Sequence, residues 1–181
     1  MLYESTRGSL HKKTGAQAVI QGIAEDKGLY VPAQIPALPF ALEDMADQMK
    51  KGTVGYREVA QAVIGTFFDD FTEEEMGACI AGAYDKKFTA RDIVEIKEAG
   101  GAHFLELYHG KTAAFKDMAL SILPYLMTTA CKKEGETSKI CILTATSGDT
   151  GKAALEGFAD VPGTEIVVFY PCDGVSQVQE R

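Results

Sequence analysis

The first stretch that could do chemistry runs from Glu106 to Asp117 and places one lysine, Lys116, at the expected start of a helix. A strand-like run over 103–108 leads into it, so the stretch follows the carboxyl end of a strand, where open α/β sheets bind ligands. The positive end of a helix dipole disfavours an ammonium, and a neutral amine can attack a carbonyl to form a Schiff base. Lys116 is therefore a candidate nucleophile, although most helix lysines are solvated surface groups.

A glycine-rich turn, Thr144 to Gly151, again joins a strand-like run to a helix. Its glycines allow the backbone to approach a ligand closely, and N–H groups at a helix start can cradle an anion. The hydroxyls of Thr146, Ser147 and Thr150 suit a carboxylate or a phosphate. The turn matches neither the G-x-x-x-x-G-K-[ST] nor the G-x-G-x-x-G nucleotide pattern. Strand–glycine–helix junctions also occur for purely geometric reasons, so both interpretations stay open.

The cysteines and histidines do not form a pattern of metal ligands. No two cysteines form a C-x-x-C pair, and no histidine lies at zinc-finger spacing from them. We therefore expect no metal site, and we expect reduced thiols in a chain without export signals. The residues concerned are Cys79, Cys131, Cys141, Cys172, His11, His103 and His109.

The composition is that of a soluble globular protein, with 181 residues, 46% apolar and 24% charged. The net charge of -8 argues against a protein that tracks a nucleic-acid backbone, which needs a surplus of Lys and Arg. No apolar run approaches the roughly 20 residues that cross a bilayer, and residues 1–11 lack the apolar core of a signal peptide. We expect a cytoplasmic protein with no nucleic-acid or membrane partner.

Residues 1–100 are predicted to be mostly helical. Capping boxes beginning at Thr14 and Thr72 mark two helix starts, the second helix reaching about residue 83. Apolar stripes predict two further helices over 41–50 and 56–67, and a brief strand over 28–32 is closed by proline. A short helix is expected over 89–98, and the Gly100-Gly101 pair marks the expected domain boundary.

In residues 101–181, strand-like and helix-like segments alternate, as they do in a doubly wound α/β fold. We expect a strand over 103–108, a helix capped by Thr112 and kinked at Pro124, a strand over 139–144 covered on both faces, a helix reaching Phe158, and a strand over 166–170. Three parallel strands are fewer than such sheets usually contain. We therefore expect these residues to open a larger domain and the chain to be a fragment.

Together the two chemical stretches resemble threonine synthase, a pyridoxal-phosphate (PLP) enzyme of the tryptophan-synthase-β fold type. The family's lysine motif, approximately H-G-P-T-x-A-F-K-D, matches His109 to Asp117 at every defined place but one. Its second motif, T-A-T-S-G-D-T-G, is present unaltered from Thr144 to Gly151. Ser5 to Gly8 and Gly22 to Pro32 are also similar to the family, so the resemblance spans essentially the whole chain.

The resemblance implies a mostly helical N-terminal domain over 1–100, followed over 101–181 by the beginning of a doubly wound, parallel-sheet PLP domain. It implies conversion of O-phospho-L-homoserine and water into L-threonine and phosphate through a PLP Schiff base on Lys116. Once displaced by the substrate amine, Lys116 would act as the catalytic base and acid. Asp149 would lie beside the cofactor, and the other turn residues would bind the substrate carboxylate: Thr146, Ser147, Gly148 and Thr150.

Three departures from the family pattern bear on this interpretation. Lys111 replaces the usual proline, and we expect its side chain to point to solvent. Lys27 stands where a glycine or a small polar residue is common. The chain is also less than half a family member's length. The loop that binds the cofactor phosphate comes later in the sequences of family members. These residues alone are therefore expected to show little turnover.

Two other functions stay open. A non-catalytic module could keep the anion-cradling turn without the chemistry of Lys116. Another reaction of the same fold type, such as serine or threonine deamination, is disfavoured because S-G-D-T-G differs from the asparagine-containing loop typical there. In each case the partner is a small molecule, and the sequence is compatible with a monomer or a homodimer.

Overall fold

The structure is a computed structural model that describes residues 1–85, 87–90, 92–146, 148–172, 174 and 176. The chain divides into two compact units, one formed by 1–81 with 126–137 and the other by 82–125 with 138–181. The boundary expected at Gly100-Gly101 lies inside the second of these units.

The first unit opens with a two-stranded antiparallel sheet of β1 (Tyr3–Ser5) and β2 (Tyr30–Pro32). Helix α1 (Gly15–Gln21) lies between them in sequence, and its predicted capping box at Thr14 is confirmed. The Thr14 hydroxyl accepts the N–H of Gln17 at 3.3 Å, and the Gln17 side chain accepts the N–H of Thr14 at 3.2 Å. Strand β2 was expected from the short run closed by proline, whereas β1 was not predicted.

Three helices follow in the first unit as predicted: α2 (Leu42–Lys50), α3 (Tyr56–Phe67) and α4 (Glu73–Ala83). The second capping box is also present, since Thr72 and Glu75 exchange hydrogen bonds of 2.8 and 3.2 Å. The stripe predicted to bury one face of α2 does not do so, because α2 contains no buried residue. The core of the unit instead lies on α4, where Met76 and Ile80 are each 2% exposed.

The second unit begins with an antiparallel hairpin of β3 (Glu95–Ala99) and β4 (Ala102–Glu106). The helix expected over 89–98 is therefore wrong. The two residues between the strands are Gly100 and Gly101, with φ of 58° and 77°. Two consecutive left-handed residues are what a tight hairpin turn requires, so the glycine pair turns the chain within one unit.

The helix expected from Thr112 is divided into α5 (Asp117–Leu120) and α6 (Leu123–Lys133). Pro124 falls in the first turn of α6, where its missing N–H removes no helical hydrogen bond. A continuous helix would place the proline ring against the carbonyl four residues earlier, which belongs to Leu120. Helix α5 ends at that residue, so the predicted disruption by Pro124 is confirmed as a complete break.

The remaining elements are β5 (Ile140–Ala145), α7 (Asp149–Phe158) and β6 (Thr164–Phe169). Strands β5 and β6 pair in parallel, with Ile142 opposite Ile166. The expectation that β5 is covered on both faces is wrong, since exposed and half-buried residues alternate along it. Among the described residues, β4 pairs with β3 and does not join this sheet. The unit is thus α/β, and the doubly wound sheet stays a prediction.

Candidate functional site

Lys116 lies immediately before α5, with helical backbone angles of φ -64° and ψ -21°. Its carbonyl accepts the N–H groups of Ala119 and Leu120 at 3.2 and 2.9 Å, which ties its backbone to α5. The side chain is half-buried, and its ammonium lies 4.3 Å from the centroid of the Phe115 ring. The helix that follows is a single turn, so the dipole expected at Lys116 is that of four residues only.

The turn that precedes Lys116 is closed by a buried carboxylate. Asp117 is 3% exposed and accepts two hydrogen bonds from Thr112, one from its N–H at 2.9 Å and one from its hydroxyl at 2.6 Å. The Ala113 N–H donates to the Gly110 carbonyl at 3.1 Å, and Ala113 has a left-handed φ of 57°. Thr112 therefore binds Asp117 and does not cap a long helix as predicted.

A second polar cluster lies where β4 ends. His109 Nε2 and Glu106 Oε2 are 2.9 Å apart, and both side chains are largely buried. Hydrogen bonds from Tyr108 and from His109 hold the pKa of Glu106 below its ordinary value. The N–H of Thr89 donates to the His109 carbonyl at 2.8 Å, which holds this segment against the chain before β3.

Glu95 lies opposite Glu106 in the hairpin, so three possible metal ligands come together. One ligand atom each from Glu95, Glu106 and His109 lies within 4.8 Å of the others. The sequence did not predict this cluster because the carboxylates are brought together only by the pairing of β3 with β4. Lys97 donates a hydrogen bond to Glu95, however, so that carboxylate already has a cationic partner. These side chains, with Lys97, therefore form a hydrogen-bonded polar network.

The glycine-rich turn joins β5 to α7, as predicted. The Thr146 N–H donates to the Phe169 carbonyl at 3.0 Å and so extends the pairing of β5 with β6. Gly148 precedes α7, Asp149 is its first residue, and Asp149 and Thr150 are exposed. The first N–H groups of a ten-residue helix have no partner within the helix, so this end can bind an anion. Ser147, the remaining predicted residue, lies outside the described residues.

Gly151 explains why the turn ends in a glycine. It is buried in the first turn of α7, and a Cβ at this position would overlap the side-chain methyl of Thr146. The same Cβ would lie 2.9 Å from Val168 on β6. The absence of a side chain thus lets the start of α7 lie directly on the sheet, which fixes the position of the turn.

Helix α5, which follows Lys116, and helix α7, which begins in the glycine-rich turn, contact each other. The two helices approach closely at Gly157, near the end of α7, where a Cβ would overlap the backbone carbonyl of Leu120. Lys87 also donates a hydrogen bond of 3.3 Å to the Gly157 carbonyl, at the end of α7. Burial lowers the pKa of Lys87, and the negative charge of Glu156 opposes this effect.

Lys111 does not simply point to solvent, which corrects the expectation for this departure from the family motif. Its ammonium forms an ion pair with Glu156 of α7, and about half of the Lys111 side chain is exposed. The hydrogen bond to Glu156 raises the pKa of Lys111. The lysine therefore links the turn before Lys116 to α7 by a charge, at a position where the family usually has a rigid proline.

No helix within the described ranges is long and apolar enough to cross a membrane.

The chain is similar to known proteins in both its sequence and its structure. Residues 2–84 match the family model described as threonine synthase N terminus. The chain is 35% identical over 191 residues to threonine synthase of Pseudomonas aeruginosa, covering 100% of this chain and 37% of that protein. Threonine synthase of Saccharomyces cerevisiae is 31% identical over 201 residues, with 99% of this chain and 37% of that protein covered.

Solved structures give the same result. The crystal structure of PLP-bound threonine synthase from Brucella melitensis is similar with a TM-score of 0.87 and 34% identity, over 99% of this chain and 37% of that one. Yeast threonine synthase is similar with a TM-score of 0.85 and 28% identity, over the same two shares. The chain thus spans a little over a third of the length of these relatives. Over its whole length it is similar to part of threonine synthases, and the family model that it matches is that of their N terminus, so the family resemblance expected from its two motifs is confirmed.

Proposed function

We propose that this chain forms the N-terminal part of a PLP-dependent threonine synthase, in which Lys116 holds the cofactor and the 146–150 turn holds the substrate. The observation that carries the proposal is the similarity of the whole chain to threonine synthases, one of them in a PLP-bound structure. Lys116 immediately precedes α5, and the turn immediately precedes α7. The two helices contact each other at Gly157, near the end of α7, and the proposal adds that the two motifs share one site.

The residues of this chain fit the aldehyde end of PLP. Lys116 offers a half-buried primary amine 4.3 Å from the centroid of the Phe115 ring, and Phe115 itself is 60% exposed. The start of α7 offers N–H donors, and Thr146 and Thr150 add hydroxyls that suit a carboxylate. No residue of this chain is assigned to the cofactor phosphate, because the family resemblance places that loop further along the polypeptide.

Bound PLP would supply an electron sink for carbanions formed on the substrate. Lys116 would join the cofactor through Nζ, and the released amine would then take and return protons at the α, β and γ carbons of O-phospho-L-homoserine. Thr146, Ser147, Gly148 and Thr150 would orient the substrate carboxylate, and Asp149 would lie beside the cofactor. Loss of phosphate from Cγ and addition of water at Cβ would give L-threonine.

The direct test is chemical trapping on the longest polypeptide that carries this sequence. We expect PLP followed by borohydride to modify Lys116, because a reduced Schiff base is stable to digestion. A modified Lys116 would appear by mass spectrometry in a tryptic peptide spanning 112–132, the product of cleavage after Lys111 and Lys132. The variant Lys116→Ala should lose the adduct, whereas Lys111→Arg, which keeps the ion pair with Glu156, should retain it.

An adduct on another lysine would overturn the assignment of Lys116. The same polypeptide should release phosphate from O-phospho-L-homoserine, and Lys116→Ala should abolish that release. If the polypeptide binds carboxylates equally well with and without the Lys116 amine and traps no PLP, it is a non-catalytic anion-binding module. Deamination of threonine or serine without phosphate release would indicate the other lyase reaction.

A further inference from the structure

Asp117 is a buried charge with an unusual set of partners. A carboxylate that is 3% exposed is costly unless hydrogen bonds replace its lost water. Both of its oxygens are occupied by the same residue, Thr112, whose N–H and hydroxyl donate at 2.9 and 2.6 Å. Thr112 lies five positions earlier in the chain, so these bonds close the intervening segment into a ring.

The segment inside that ring is held in a strained conformation. Ala113 has a φ of 57°, a conformation that residues with a Cβ rarely adopt. Gly110 lies so close to Asp117 that a Cβ there would overlap the carboxylate. Such a turn persists only when its surroundings determine it. The carboxylate of Asp117 is the group on which the turn closes.

Lys116 is the residue that this arrangement fixes. Its backbone is bounded on one side by the turn and on the other by α5, whose residues Ala119 and Leu120 donate their N–H groups to the Lys116 carbonyl. We propose that Asp117 is a positioning residue for Lys116: by binding Thr112, its carboxylate sets the direction in which the Lys116 side chain leaves the backbone. This inference rests on the proposed function, in which the Lys116 amine reacts with PLP.

The experiment measures how fast PLP becomes joined to Lys116, with borohydride added at short intervals and the 112–132 peptide quantified by mass spectrometry. Thr112→Val keeps the shape of the side chain but leaves one carboxylate oxygen of Asp117 without its donor. We expect it to slow trapping on Lys116 by about tenfold, because a misplaced reacting group loses much of its advantage. Thr112→Ser restores the hydroxyl and should recover the wild-type rate to within about twofold.

A matched control distinguishes a positioning role for Asp117 from a role in stability alone. Val161 is 6% exposed, belongs to the same unit and follows α7, so Val161→Ala serves as a variant that loses buried apolar volume outside the turn. We expect Val161→Ala to trap PLP at the wild-type rate at a temperature where both variants are folded by circular dichroism. Asp117→Ala should be slower than Thr112→Val, and Thr112→Val keeps the test valid if Asp117→Ala does not fold.

The results for wild type and for the variants distinguish a failure of the positioning role of Asp117 from a failure of the proposed function. If wild-type polypeptide is trapped on Lys116 and Thr112→Val is trapped equally fast, Asp117 does not position the amine and the proposed function stands. Equal slowing in Thr112→Val and Val161→Ala would likewise reduce the role of Asp117 to stability. If wild-type polypeptide is never trapped on Lys116, the proposed function fails and this inference fails with it.

Discussion

Two aspartates in this chain organise turns in the same way. Asp117 closes the turn that contains the left-handed residue Ala113, and Asp26 holds the turn that contains Lys27, with a φ of 63°. The Asp26 carboxylate accepts the Ser5 hydroxyl at 2.6 Å and backbone N–H groups of Ser9 and Gly28 at 3.0 Å each. The left-handed φ gives a physical reason why glycine suits position 27 better than lysine does.

The hydrogen bonds to Asp26 make a testable contribution to stability at different pH. The Ser5 hydroxyl first, and then the N–H of Gly28, lower the pKa of Asp26 below its ordinary value. A carboxyl whose pKa is lowered by folding stabilises the fold above its unfolded pKa, and that contribution is lost as pH falls through its folded pKa. We expect urea unfolding to show wild type more stable than Asp26→Asn at pH 7, with the difference shrinking below about pH 4.

The control for this experiment is Asp44→Asn, which changes an exposed aspartate on α2. It should alter the free energy of unfolding little at any pH in the series. A difference between wild type and Asp26→Asn that stays constant from pH 7 to pH 3 would contradict the role given to these hydrogen bonds.

Among the helices, α5 and α7 depend on two residues that cannot be exchanged freely. Pro124 prevents α5 from running into α6, so the Leu120 carbonyl lies at the end of a helix. Gly157 in α7 lies directly against that carbonyl. The break made by the proline and the missing side chain of the glycine therefore act together to let the two helices approach closely. This approach packs α5, which follows Lys116, onto the end of α7 that lies away from the glycine-rich turn.

Gly157→Ala tests this packing. An added Cβ would overlap the Leu120 backbone, which cannot move as a side chain can, so we expect a loss of about 1–3 kcal/mol in the free energy of unfolding. The matched control is Gly65→Ala in α3, where nothing lies within 4 Å of the added Cβ. There alanine should stabilise the protein by about 0.5–1 kcal/mol through its higher helix propensity. Chemical denaturation of both variants gives the comparison, and equal effects at the two glycines would refute the close contact.

For the molecule as a whole, sequence reasoning succeeded where the signal was local. Both T-x-x-Q/E capping boxes, helix α3 and the order of β5, α7 and β6 follow from residues within a few positions of each other. The hairpin of β3 and β4 was missed because the Gly100-Gly101 pair also fits a boundary between domains, and only strand pairing decides between the two. The hydrogen bonds between Thr112 and Asp117 were also missed, because they depend on how the turn between these two residues folds back.

The exposed face of the β5–β6 sheet could not be predicted either, because a strand buried on both faces and a strand with one exposed face can share an apolar sequence. Leu143 is 67% exposed and Phe169 is 60% exposed, and both lie on this face. Exposed apolar residues that lie side by side favour association with other apolar surfaces. The net charge of -8 opposes self-association by mutual repulsion.

These two opposing effects predict how the 181-residue chain associates with itself. The repulsion vanishes near the pI of about 4.9, so the mean mass measured by sedimentation at constant ionic strength should rise as pH falls from 7.5 towards 5. Leu143→Thr should weaken this association by about fivefold, since it removes apolar area from the exposed face. Leu10→Thr is the matched control, because Leu10 is 92% exposed and lies in the other unit. If both substitutions weaken association equally, the attraction comes from general surface hydrophobicity and not from the sheet face.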